Sequence, residues 1–288
     1  MTVEKKALSN LGRPLDPEYP SNLFVMVVSM ASFFGFGIYS YLSGGGIIGS
    51  LGFGAGSLLT VFLTWALARE LDPDHQLTAV LSMAGAIVSI GVNGVPGLLL
   101  PFWALFSVRI LNRSTGLKAG PLDNLISVGL AIWLGYSSSW VIPAAGTGFF
   151  IADSLVREPK RLQIVPGTIT GVGAGYFLFM NPDPWGGFLG YPVKLGMVFL
   201  LTALFLLVVY DSKNVDSTGD RTDKPLSPYR VQLAQLIFLA TALFLPLWAG
   251  EAGFHESVTF WSVIGAASLV HLVRFMGLST DYIEKKLT

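Results

Sequence analysis

Ten apolar stretches run through this chain, near residues 22–42, 47–68, 76–92, 96–111, 123–139, 143–157, 163–180, 190–210, 230–249 and 257–276. No Asp, Glu, Lys or Arg falls near the middle of any of them. Nothing constrains the fold more. Stretches that exclude charge over such lengths suit hydrocarbon, where no water is present to satisfy a backbone N–H or C=O. Each must therefore meet its own hydrogen bonds as a helix. Roughly 20 apolar residues cross the hydrocarbon core, and most of these runs come close to that length. The composition agrees, with 52% hydrophobic and 12% charged residues, about half the charge of a soluble domain. The expected fold is an all-α, polytopic integral membrane helical bundle of about ten transmembrane helices, built from helical hairpins with short outer turns. The four stretches between 76 and 157 are short and fall into two pairs, broken at Gly91–Gly97 and Trp140–Gly146. If both pairs are re-entrant, the span count is eight.

Charge placement predicts the topology. Of the 18 Lys and Arg residues, all but Lys194 lie before the first stretch, at alternate connections, in the polar segment 211–230 or at the C-terminus. The positive-inside rule then puts both termini in the cytoplasm, most simply of the plasma (inner) membrane. The first stretch is too long for a signal peptide and has no A-x-A-like cleavage site, so it is expected to be retained. The organisation follows: a cytoplasmic N-terminal segment 1–21, a membrane body of four hairpins over 22–210, a cytoplasmic polar linker 211–230, a terminal transmembrane hairpin 231–278 and a cytoplasmic tail 279–288. Eighteen basic and 18 acidic residues cancel, so no basic field exists for nucleic acid. The absence of cysteine excludes disulfides, thiolate metal sites and cysteine nucleophiles. In size and span number the chain is similar to the drug/metabolite transporter architecture, a likeness that carries over no motif and no site residue.

Glycine is abundant, at 33 residues. Gly167, Gly171 and Gly175 fall four apart, a GxxxG face on which helices can approach closely or on which another copy or another membrane protein can dock. Asn93 and Pro96 in the first break, and Ser138 and Pro143 in the second, are candidate hinge or cavity residues. Trp185, Phe188 and Tyr191 read as interfacial anchors.

The densest polar run is Arg69–Gln76 (RELDPDHQ). Asp72, Asp74 and His75 within it are the catalytic candidates for an enzyme. Two carboxylates with a nearby imidazole suit Mg²⁺ held against a diphosphate, with Arg109 and Arg113 on the phosphates. Arg69, Asn112, Asp123, Asp153 and Arg157 complete a polar, substrate-binding face. The competing structural reading makes Asp72 an N-cap before Pro73 at N1, like Ser227-Pro228 and Gly120-Pro121. It also pairs Asp153 with Arg157 as an i,i+4 salt bridge. No permanent cofactor or metal is expected outside the enzyme reading. His255 has no second histidine nearby in sequence, and His271 reads as a packed polar residue near a helix end.

Three functions are carried forward, in order. The first is a small permease moving an organic metabolite or amphiphile by alternating access. The second is a membrane-embedded enzyme acting on a phosphorylated lipid or isoprenoid at the cytoplasmic face. The third is a non-catalytic membrane subunit. The partners implied are the bilayer, an unidentified small molecule and, through the glycine faces, a homo- or hetero-oligomer.

Overall fold

A computed structural model describes residues 9–13, 15–180 and 190–277. Trp185, Phe188 and the tail 279–288 lie outside the described residues. Ten α-helices are present among those described: α1 Pro20–Leu42, α2 Ile47–Leu71, α3 Gln76–Asn93, α4 Leu99–Asn112, α5 Pro121–Ser137, α6 Val141–Leu155, α7 Ile164–Met180, α8 Pro192–Asp211, α9 Pro228–Glu256 and α10 Val258–Phe275. The only β feature among the described residues is the bridge between Thr218 and Pro225.

Seven helices are long and apolar enough to cross a membrane: α1, α2, α3, α7 (counted with the 3₁₀ turn Arg161–Gln163), α8, α9 and α10. The other three are shorter. At 1.5 Å per residue, the 14 residues of α4 reach about 21 Å, against about 30 Å of hydrocarbon. Leu23, Val27, Met30, Phe34 and Ile38 stand exposed along α1, and Val172, Tyr176 and Phe179 along α7. An apolar exterior of this kind suits a membrane protein, since a soluble monomer rarely exposes so continuous an apolar surface.

Proline sets several of the starts. Pro20, Pro121, Pro192 and Pro228 occupy the first helical position, where a missing N–H costs nothing. The Asp72-Pro73 pair departs from this pattern. Helix α2 continues to Leu71 with Asp72 at its C-cap, and α3 begins only at Gln76 with His75 at its N-cap. Asp72 is therefore not an N-cap, because its carboxylate is drawn to His75 and Thr78 instead. The expected Asp153–Arg157 pair also gives way. Helix α6 stops at Leu155 and Val156 is extended, so Arg157 leaves the helix surface that an i,i+4 contact needs.

Helix α2 packs against α1, α3, α4 and α10, and α4 against α2, α5, α6 and α9. The α1–α2 crossing depends on small residues. A Cβ added at Gly54 would lie 2.6 Å from the Phe33 carbonyl oxygen, so the two backbones approach as closely as glycine permits. Helices α9 and α10 pack within the body: α9 touches α4, α6 and α8, and α10 touches α2, α3 and α8. Near its end α9 is kinked at Gly250, whose φ of 63° is left-handed and favours glycine.

The bundle has two chemically different ends. The helix ends bearing Arg69, Arg109, Arg113, Arg230 and Arg274 gather at one of them with segments 9–13 and 211–227, through the contacts described next. The other holds the turns α1–α2, α3–α4, α5–α6 and α9–α10.

Candidate functional site

The arginine-bearing end carries three buried clusters, each joining helices far apart in sequence. The first centres on Asp153 of α6, whose side chain is fully buried. Its Oδ1 accepts from Arg113 Nη2 at 2.7 Å and from Arg230 Nη1 at 2.6 Å, and its Oδ2 from Gln163 Nε2 at 3.2 Å. Arg230, at the start of α9, also donates to the carbonyls of Leu111, Val156 and Arg157. One carboxylate and two guanidiniums thus tie α4, α6 and α9 together.

Glu70 near the end of α2 is the second centre, again with a fully buried side chain. Arg109 Nε on α4 donates to its Oε1 at 2.8 Å, and Arg13 Nη1 at 3.0 Å. Asn112 Nδ2 donates to the Glu70 carbonyl at 2.6 Å. Arg13 reaches onward to Asp220 in the 211–227 segment.

Asp72 is the third. Its Oδ1 lies 2.7 Å from His75 Nδ1 and 3.4 Å from His271 Nε2, and its Oδ2 accepts from Thr78 Oγ1 at 2.5 Å. His271, near the end of α10, places its Nδ1 3.1 Å from Asp211 Oδ2. The two imidazoles stand edge to face, 4.7 Å between centroids. Burial alone would raise the Asp72 pKa. The hydrogen bonds from His271 and His75 outweigh it and hold the carboxyl well below the usual range. Beside this cluster lies a cavity of about 450 Å³ lined by Asp72, Asp74, His75, Asp211, His271 and Arg274, among others.

The 211–227 segment folds onto this end. Asp74 accepts from the backbone N–H of Asp216 and Ser217 and from Ser217 Oγ, and Arg221 donates to the Gly12 carbonyl. Asp74 is thereby turned to the segment while Asp72 is turned to the histidines.

The residues expected to form a substrate face do meet at one end, but Arg113 and Asp153 pair with each other and most of the rest are held by other partners. Arg109 is on Glu70 and Arg113 on Asp153. Asp123 accepts from Ser9 Oγ and from the Asn10 and Gly120 backbone N–H groups, which fixes the start of α5. Arg69 Nη1 reaches the Pro73 carbonyl at 3.4 Å, and Arg157 contributes a carbonyl. His271, Asp211, Glu70 and Arg230 were missed as members. Their partners lie 39 to 199 residues away, beyond any local spacing rule, and Asp211–His271 is likewise non-local.

At the other end, Asn93 is exposed at the end of α3, followed by Gly94 at φ 81°. Pro96 and Pro143 are buried, and Ser138 Oγ donates to Glu256. Lys194, the one basic residue outside the expected topology, pairs with Glu251. On α7, Gly167 packs against Phe150 and Ile151 and Gly171 against Thr147, whereas Gly175 faces open space. That glycine face is covered for most of its length by α6 of the same chain. Comparison with protein-family models, curated proteins and solved structures found no match.

Proposed function

We propose that the chain is a small integral membrane permease of about ten spans, with the arginine-bearing end and both termini in the cytoplasm. It moves an organic metabolite or amphiphile by alternating access. One observation carries this reading: the asymmetry of the two ends. At the arginine-bearing end, buried carboxylates cross-link α2 to α4 and α4 to α6 and α9. At the other, the short helix α4 follows a break that holds Gly94, Pro96 and Gly97, α6 follows α5 after residues 138–140 alone and carries Pro143 in its first turn, and α9 is kinked. Charge networks that close one end of a bundle whose other end is jointed make a gate and a hinge. Transport without a charged residue at mid-depth is compatible with an uncoupled or organic substrate.

The phosphorylated-lipid enzyme is less well supported, because Arg109 and Arg113, which would meet the phosphates, are already on buried carboxylates. A docking subunit would need the α7 glycine face, most of which α6 occupies.

The test uses the natural absence of cysteine. Single cysteines at Asn93 and Ser138 report the outer end, and one at buried Ser114 reports the inner end. In proteoliposomes with membrane-impermeant maleimide, a transported solute raises labelling at one end and lowers it severalfold at the other. Labelling that stays constant, or moves in the same direction at both ends, across a metabolite panel overturns the permease.

A further inference from the structure

We propose that Asp72, His75 and His271 form a binding site for one divalent transition metal ion of the zinc class. The site lies at the arginine-bearing end, with Asp211 orienting His271 from behind. The ligand atoms of the three residues all lie within 4.8 Å of one another, and all three residues are buried, at 3%, 9% and 7% exposure. A four-coordinate zinc ion places nitrogens at about 2.0–2.1 Å and carboxylate oxygens at about 2.0–2.2 Å, so its ligand atoms stand a little over 3 Å apart. His271 Nε2 is already 3.4 Å from Asp72, His75 Nδ1 would retreat by about 0.6 Å from its 2.7 Å, and the two imidazole nitrogens, within 4.8 Å of each other, would draw in on the ion.

The orientation of His271 suits a ligand. Its Nδ1 lies 3.1 Å from Asp211 and its Nε2 faces Asp72 at 3.4 Å. With a metal between Nε2 and Asp72, Nδ1–H would donate to Asp211 and the Nε2 lone pair would go to the metal. That is the carboxylate–histidine–metal arrangement by which outer partners fix the tautomer of a ligand.

The donor set selects the ion. Two imidazoles and one carboxylate favour zinc and its first-row neighbours, whereas Mg²⁺ and Ca²⁺ take oxygen ligands. Against the Mg²⁺ of the enzyme reading, this site keeps Asp72 and His75 and takes His271 in place of Asp74, which faces residues 216 and 217. Three protein ligands leave a fourth position toward the 450 Å³ cavity, as in zinc sites that exchange a bound water or small ligand. Because His271 lies 199 residues from Asp72, the ion would clamp the end of α10 to the α2–α3 turn.

The experiment uses untagged full-length protein in detergent, stripped with chelator, equilibrated with Zn²⁺ or Mg²⁺ and desalted, with metal per chain measured by mass spectrometry. About one zinc and no magnesium should remain. Zinc should be lost from His75→Ala and His271→Ala but kept by His255→Ala, which removes the only other histidine. Cobalt should give the intense visible bands of a tetrahedral site. No zinc on the natural protein, or zinc unchanged in the two alanine variants, overturns the site. If those variants fail to fold, Asp211→Asn decides, since its side chain is 57% exposed and contacts no metal. Zinc affinity should fall about 10–100-fold, and an unchanged affinity overturns the proposal. Metal binding is read without transport, so its failure is distinct from failure of the permease.

Discussion

The two ends of the bundle both carry ion pairs, but they hold them differently. Asp153 and Glu70 have no exposed side-chain surface, and the guanidiniums upon them range from 4% to 25% exposed. At the opposite end the Lys194 and Glu251 side chains are 39% and 50% exposed. In water such a pair gains little, because screening and side-chain entropy cancel most of its attraction. A buried pair adds little net stability over an apolar replacement, yet removing one partner leaves an unpaired charge at high cost. The difference shows that counting ion pairs says nothing about rigidity. Burial makes one end all-or-nothing and leaves the other free to rearrange.

The comparison breaks first at Asp153. Asp153→Ala strands Arg113 and Arg230 in a dry site, and a loss of about 3–5 kcal/mol follows, read as a large drop in thermal midpoint in detergent. Glu70→Gln should cost less, about 2–3 kcal/mol, because Arg13 is a quarter exposed and keeps Asp220. A midpoint for Asp153→Ala within a degree or two of the natural protein would remove the distinction between the ends. Gly54→Ala probes the apolar layer between them. Its new methyl meets the Phe33 carbonyl, and overpacking of about 1–3 kcal/mol should follow. Unchanged stability there would mean that α1 can slide outward, extending the soft end further down the bundle.

Much of this organisation was legible in the sequence. The ten apolar runs coincide with α1–α10 to within a few residues except at the end of α9, which runs seven residues past 249 to Glu256, because charge-free stretches in hydrocarbon satisfy their backbone as helices. The gathering of arginines at one end was legible for the same reason: each sits at a helix terminus, and alternate termini share a side. The pairing was not. An i,i+4 rule joins Asp153 to Arg157 only if the helix continues, and α6 ends two residues too soon. Asp72-Pro73 looks like a helix start by local chemistry, yet the carboxylate answers to His271, which arrives from the last helix. Capping and spacing rules describe energies of about 1 kcal/mol or less. Leaving a buried carboxylate unpaired costs several times that, so tertiary contacts overrode the local rules wherever the two competed.

The smallest expected effect is the one that sharpens the comparison most. Lys194→Ala removes the only basic residue expected on the far side, and with it the Glu251 pair and the ammonium 5.0 Å from the Tyr191 ring. Because both partners remain in water, no charge is stranded and the thermal midpoint should not move measurably. The same holds under high salt, which screens an exposed pair and leaves buried ones almost untouched. A titration of stability against salt should therefore leave the natural protein and Lys194→Ala superimposed, while Asp153→Ala stays low throughout. If Lys194→Ala proved as damaging as Asp153→Ala, the far end would be pinned as firmly as the near one. The hinge that the proposed alternating access requires would then have to lie within the helices rather than at their ends.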